Sequence, residues 1–348
     1  MGALPSPAAE ERADVYARVT DAIVAAIEAG AAKGKDWRMP WHRRRDAGGS
    51  PALPANVASR AAYRGVNAVA LWAAAEARGY QAGLWGTFRQ WADLGGRVRR
   101  GERAATVVFW RFPDAAGRGA AATPVEEDGE EGDDGARRGP WARAYAVFNA
   151  AQVDGAALPA DRAPKLPEAA RIAAAERFFA ALPGLDLRHG GAAAFYAPAT
   201  DHVQMPHFAD FRAADGYYGV LGHEATHWTG HPSRLARDLA GRFGSAAYAA
   251  EELVAELGAA FALAALGLAA EPRPDHARYV ARWLDLLRAD RRAVFAAAGK
   301  AQAAADWLLA AAAGGAATAA PRHDAPLAGT RDAPPSIGDG RCEQLAAN

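Results

Sequence analysis

One stretch limits the folds open to this chain more than any other: Tyr217 to Arg237, reading YYGVLGHEATHWTGHPSRLAR. His223 and His227 stand four residues apart, and on an α-helix that spacing stacks two side chains on one face, about one turn apart. Two imidazoles so placed direct ring nitrogens at a single metal ion, at ~2.0–2.1 Å for Zn²⁺. Glu224 lies one step round the helix, where it can hold and deprotonate a water rather than ligate. Two helical histidines leave a tetrahedral site open, so a third donor has to arrive from another part of the chain.

The identity of that donor separates the classes of HExxH site. One zincin class uses a histidine six residues past the second, after HxxG. Gly230 fills the glycine place, but Ser233 stands where that histidine is required. His231 is two residues early and lies two turns from His223, ~12 Å along the axis, too far to share the ion. The other common solution is a glutamate from the next helix, and AEELVAELGAAF supplies Glu252 and Glu256 four residues apart. The reading is Glu252 as ligand and Glu256 as the acid that orients a ligand histidine, with Glu251 on a neighbouring face as the alternative ligand. Leu253, Val254, Leu257, Ala260 and Phe261 make this helix mostly apolar, and acids on a mostly buried helix need a partner. The expected ion is Zn²⁺, with Mn²⁺ as the alternative. The segment DHVQMPHF is expected to be the sheet edge lining the cleft. Tyr217, Tyr218 and His202 are candidates for an oxyanion-side donor, each also readable as a packing residue.

The remaining chain divides around ALPADRAPKLP, residues 157–167, a Pro-rich linker. Ahead of it, residues 11–31 place Val15, Val19, Ile23, Ala26 and Ile27 at helical spacing, and a second helix ends at Gly79. A short helix, a Gly-Gly turn and a strand from Thr106 to Phe112 follow, then a partner strand in ARAYAVFNAAQV. Residues 113–140 between those strands hold eight acidic residues against three Arg and read as a solvated, disordered insertion. Beyond the linker come a helix, two short strands in AAAFYAPATDHVQMP, the histidine helix, the acid-bearing helix, and one long third helix running from Asp275 to about Ala313. Residues 313–348 read as a flexible tail. The expected fold is thus α+β: a small α+β domain over 1–156, then a mostly helical domain with a short sheet over 168–312. The single cysteine, the lack of a secretory N-terminal pattern, and a longest apolar run of 14 residues, LGAAFALAALGLAA, point to a cytoplasmic protein without membrane contact.

The first 112 residues carry 17 Lys/Arg against 10 Asp/Glu, a surplus of seven cations hidden by the zero net charge of the whole chain. They are interleaved with rings and amides, as single-stranded nucleic acid requires of a surface that tracks phosphates and stacks bases. The candidates are Arg60, Tyr63, Arg64 and Asn67, then Trp85, Arg89, Gln90 and Trp91, with Arg97, Arg99 and Arg100. An equally plain reading puts the tryptophans in the core and leaves the arginines as a solvated face.

The series VTDAIVAAIEAGA, RAAYRGVNAVALW, LWGTFRQWADLGGRVRRGERAATVVFW and AVFNAAQVDG resembles the N-terminal domain of the ArdC-type antirestriction proteins, a family related to the TraC-type primase N-terminal region. MPHF, YYGVLGHEATHWTGHPSRLAR and YAAEELVAELGAAF are similar to that family's C-terminal zincin-like metallopeptidase domain. The resemblance runs from residue 12 to about 312 in the same order. It implies a single-stranded-DNA-binding protein of plasmids and other mobile elements that protects incoming DNA from restriction endonucleases. A restriction enzyme or a protein substrate is the further partner it allows. Two other functions remain compatible with these motifs: a working intracellular zinc metallopeptidase brought to DNA-associated proteins, and a plasmid replication or primase-accessory protein.

Overall fold

The apolar stripe of the first helix sets the architecture. In a computed structural model of the chain, which describes residues 7–32, 39–42, 53–111, 141–157, 168–239, 241, 245–268 and 277–314, α1 spans Pro7–Ala31. Its Val15, Val19, Ile23, Ala26 and Ile27 are all buried. That stripe packs against α2 (Val66–Arg78), which ends at Gly79 in the left-handed region, φ 68°, where a side chain would be strained. The acidic insertion, nearly all of the linker and the C-terminal tail beyond residue 314 lie outside the described residues.

A four-stranded sheet ordered β1-β2-β5-β4 follows, built from β1 (Ala55–Asn56), β2 (Leu84–Gly86), β4 (Ala105–Arg111) and β5 (Trp141–Asn149). β4 and β5 pair antiparallel along the whole length of β4, as the two long β-branched and aromatic runs predict. β4 is an edge strand, and Asn67 covers its open side: the amide donates to the Val108 carbonyl and accepts from the Val108 N–H, both at 2.8 Å. Between β2 and β4 lie α3 (Phe88–Asp93) and β3 (Arg97–Val98), the latter paired with β6 (Val153–Asp154). Thr87 and Gln90 form a capping box that starts α3.

The second half opens with α4 (Glu168–Ala180) and a three-stranded sheet of β7 (Asp186–His189), β8 (Phe195–Ala197) and β9 (His202–Met205). β9, expected at the sheet edge, is the central strand, parallel to β7 and antiparallel to β8. β7 has no sequence signature, because its residues, Asp-Leu-Arg-His, show little of the apolar alternation that marks a strand. Then come α5 (Ala214–Trp228), α6 (Ala246–Ala265), α7 (Ala277–Ala289) and α8 (Ala293–Ala312). The expected single third helix is two. The Asp290 carboxylate accepts from the Arg292 N–H at 2.8 Å, a local side-chain bond that competes with helix continuation. Helix α8 then turns to pack along α6.

The two halves share one large core, and the first half adds a smaller cluster of its own around Tyr63, Leu71, Trp85, Val107 and Val147. One continuous cluster joins Ile23, Ile27, Met39 and Trp72 of the first half to Phe261, Leu287 and Leu308 of the second. Polar contacts stitch the same seam: Gly65 N–H donates to Gln302, Thr20 donates to the Arg291 carbonyl, and Arg64 pairs with Asp306. The architecture is the mixed helix-and-sheet fold read from the sequence, with α6 as its central buried helix.

Candidate metal centre and nucleic-acid face

α5 and α6 meet through small residues. Gly258 of α6 faces Thr226 of α5 so closely that a β-carbon there would stand 2.5 Å from the Thr226 methyl, and Gly222 faces Ala259. Thr226 is held by its own hydroxyl, which donates to the Gly222 carbonyl at 2.8 Å. This close approach brings the acidic face of α6 to the histidine face of α5.

The result is a cluster of His223, His227 and Glu252 whose donor atoms all lie within 4.8 Å of one another. The two Nε2 atoms are 3.1 Å apart, and each stands 3.5 Å from an oxygen of Glu252. Tetrahedral ligands at ~2.0–2.1 Å from one ion stand about 3.3 Å from each other, so the spacing of the two ring nitrogens and the Glu252 carboxylate, each nitrogen facing a different oxygen, suits a single ion. The neighbouring groups fit as well. Behind His227, Nδ1 is 3.3 Å from Glu251, and behind His223, Nδ1 is 3.5 Å from Glu256. A carboxylate hydrogen-bonded to the far nitrogen, as Glu251 is to His227, fixes the ring tautomer and leaves the near nitrogen as a lone-pair donor, whereas Glu256 approaches His223 Nδ1 at ion-pair distance.

Glu251, the alternative ligand, therefore sits behind a histidine rather than beside Glu252. Arg237 holds it there through Nε at 3.2 Å and Nη2 at 2.9 Å. The chain after α5 doubles back to deliver that arginine, with Arg237 N–H donating to the Gly230 carbonyl and Arg237 Nη1 to Thr229. His231 turns instead to Ser233 and joins no metal-like cluster among the described residues. Glu224 is 3% exposed, a carboxylate carried by α5 beside His223 and taken out of solvent.

Electrostatics follow from the burial. Desolvation alone would lower the His227 pKa, but hydrogen bonds and charge from Glu251 and Glu252 raise it to about 10 in the metal-free protein. Burial opposes ionisation of Glu252, yet His223 and His227 hold its carboxyl well below the usual range. Glu251 is likewise lowered against its burial, by His227 and Arg237. A cation at this position would meet one carboxylate, Glu252, already biased towards charge.

The oxyanion candidates are occupied elsewhere. The Tyr217 hydroxyl and His189 Nε2 are hydrogen-bonded at 2.9 Å, Tyr218 stacks on Phe179 within the core, and His202 bonds Thr200.

In the first half, the candidate nucleic-acid residues part company. Trp85 and Trp91 are 1% and 0% exposed, and Tyr63 is 5% exposed, so no ring face of theirs is open to a base. They fill the space under β2 and α3, with Trp91 Nε1 donating to the Phe148 carbonyl at 3.0 Å. Asn67 is committed to β4, Gln90 to the cap of α3, and Arg64 to Asp306. Arg99 pairs with Glu102 and Asp154. Arg60, Arg89, Arg97 and Arg100 remain at the surface. Two exposed rings of the first half escape sequence reasoning: Phe88, 61% exposed beside Arg89, and Trp110 on β4, 36% exposed. Asn56 ties the turn carrying Arg60 to this helix start: its amide donates to Gln90 at 3.1 Å while its oxygen accepts from the Ala58 and Ser59 N–H groups at 3.0 Å. Arg60 itself has φ 61°, a left-handed turn position.

Comparison with known proteins agrees with both halves. Residues 13–148 match the family of the N-terminal domain of anti-restriction factor ArdC, and residues 173–300 match a zincin-like metallopeptidase family. A zincin-like domain implies metal binding, and the His-His-Glu cluster fits it. The protein y4eC of Sinorhizobium fredii is 56% identical over 295 residues, covering 85% of this chain and 91% of that one. A DNA primase TraC of Escherichia coli is 35% identical over 309 residues, but the matched part is 87% of this chain and only 28% of the primase. Two crystal structures of antirestriction ArdC from plasmid R388 are each 38% identical. The metal-free one has a TM-score of 0.66, covering 87% of this chain and 99% of that one. The Mn(II)-bound one has a TM-score of 0.63, covering 86% and 98%. Among the described residues no helix is long and apolar enough to cross a membrane.

Proposed function

This chain belongs to the ArdC antirestriction family, and from that premise we propose that it binds single-stranded DNA through its N-terminal half and counters restriction in the cytoplasm. The observation that carries the DNA half of this reading is Phe88, exposed beside Arg89 at the start of α3, with the turn that bears the exposed Arg60 tied to that helix start through Asn56. Together these combine an exposed ring for stacking with cations for phosphates, held on one pinned turn and helix start. Arg97 and Arg100 extend the basic face along the chain. The functional units are residues 1–156 and 168–312.

His223, His227 and Glu252 hold the metal in this reading, with Glu256 and Glu251 orienting the two imidazoles. Zn²⁺ suits two imidazoles and a carboxylate, and the Mn(II)-bound relative supports Mn²⁺ as the alternative. When bound, the ion supplies a Lewis acid. Glu224, buried beside the cluster, is the group placed to accept a proton there as a general base. That buried carboxylate favours a second reading, hydrolysis of a protein partner such as a restriction enzyme, because a purely structural metal site has no need of it.

A restriction-protection assay in cells separates the two. Wild type, Glu224→Ala and an Arg60→Glu/Arg89→Glu variant are compared, with metal and DNA binding measured on each. Loss of protection in the Arg variant together with its DNA binding, and full protection by Glu224→Ala, supports the DNA-binding reading. Loss of protection in Glu224→Ala with both bindings intact gives the role to hydrolysis.

A further inference from the structure

Glu256 lies on α6 one turn beyond Glu252, yet two of its partners come from the opposite half of the chain. Its Oε1 accepts from Trp41 Nε1 at 3.2 Å and stands 2.5 Å from His42 Nε2, a contact across 214 residues of sequence. Its Oε2 faces His223 Nδ1 at 3.5 Å. The His42 tautomer follows from the other ring nitrogen. The Met39 backbone N–H donates to His42 Nδ1 at 3.2 Å, so the neutral ring carries its proton on Nε2 and donates it to Glu256. Met39, Trp41 and His42 are all buried, and Met39 and Trp41 belong to the core cluster shared by both halves.

Two N–H donors converging on one oxygen fix the torsion of a carboxylate, and they leave its second oxygen with one direction to face. A buried carboxylate also requires such donors, since desolvating it without them is costly. We propose that Trp41 and His42 are positioning residues of the metal centre. They clamp Glu256 so that its second oxygen faces His223 Nδ1 at ion-pair distance and draws that ring's proton to Nδ1, which leaves Nε2 of the ring for the metal. The inference rests on the reading of His223, His227 and Glu252 as ligands. It divides the support of the two histidines: His227 is oriented from within the second half, through Glu251 and Arg237, whereas His223 is oriented by the first half. The half that bears the DNA face thereby completes the metal site of the other.

The test measures Zn²⁺ affinity of the full chain by competition with a chromophoric chelator. Wild type takes up one equivalent and His223→Ala loses it. His42→Leu binds roughly 10–100-fold more weakly, the usual cost of removing an outer-shell partner. His42→Gln, whose amide N–H reaches the place of Nε2, recovers most of that loss. Because His42 acts through Glu256, His42→Leu has no further effect in a Glu256→Gln background. Single-stranded-DNA affinity and the metal-free circular dichroism spectrum of His42→Leu match wild type. Should His42→Leu not fold, Trp41→Phe keeps a ring in the core, removes only the N–H donor and carries the same expectation. Zn²⁺ affinity of His42→Leu equal to wild type overturns the inference, as does a loss that persists undiminished in the Glu256→Gln background. A wild-type chain that takes up no Zn²⁺ overturns the metal-site reading itself, and this inference with it.

Discussion

Gly258→Ala tests the helix contact on which the metal cluster depends, because its sign follows from a single distance. Alanine is the better helix former by about 0.8–1.0 kcal/mol, so in a roomy place the change stabilises. Here the added β-carbon would sit 2.5 Å from Thr226 Cγ2 and 3.0 Å from Thr226 Oγ1. An ordinary carbon–carbon contact is ~3.5–4.0 Å, so either the methyl or a helix has to move by about 1 Å. The threonine is not free to yield: it is β-branched, fully buried, and its hydroxyl is bonded to the Gly222 carbonyl. Overpacking of this kind costs roughly 1–3 kcal/mol, and this site belongs near the upper end because both sides are helix backbone in the core. Net of propensity, we expect Gly258→Ala to destabilise by about 2 kcal/mol, a fall in Tm of roughly 4–8 °C at the 2–4 °C per kcal/mol of a large domain. Zn²⁺ affinity falls with it, since the shift separates Glu252 from the histidines. Thermal melting by circular dichroism reads the first effect and chelator competition the second. Thr226→Ser removes Cγ2 while keeping the hydroxyl, so the double variant regains part of both losses. A rise in Tm for Gly258→Ala, or no relief from Thr226→Ser, would refute the packing argument.

The other expectations are more direct. Phe88→Ala weakens single-stranded-DNA binding by about 1–3 kcal/mol, the usual worth of one stacked base, with no change in Tm; fluorescence anisotropy at two salt concentrations checks both this and the steep salt dependence expected of phosphate contacts. Trp85→Ala does the reverse, lowering stability by roughly 3–5 kcal/mol through the cavity it leaves, and urea unfolding measures it. Metal affinity rises with pH. Metal-free His227 is held protonated by Glu251 and Glu252 up to about 10, against 6.5 for an unperturbed histidine, so the ion has to displace that proton. By the same sign, this ionised contact contributes stability to the metal-free fold fully below pH 6.5, and the contribution is lost as pH rises through about 10. Proton release on Zn²⁺ addition, followed in weakly buffered solution, reports it. Arg237→Met frees Glu251 and leaves a buried carboxylate with fewer partners, at a cost of about 3–5 kcal/mol for breaking a buried pair; chemical denaturation reads it.

The amino-acid sequence by itself determined the elements and the ligand types. Helical spacing in α1 and the His-x-x-x-His step in α5 are local periodicities, written in residues three and four apart, and those residues lie where the periodicity puts them. Spacing also excluded His231, since its distance from His223 depends only on helix rise. Burial of aromatic residues is a different matter. Trp85 and Trp91 carry the same local signature as stacking residues, and only the packing of α3 under β2 and β5 turns them inward while leaving Phe88 outside. The central place of β9 depends on β7, a strand with scarcely any pattern of its own. Above all, no periodicity links His42 to Glu256 or Arg237 to Glu251. Those partners are decided where separate elements meet, by close contacts such as Gly258 on Thr226, and the orientation of each metal-facing histidine is set there.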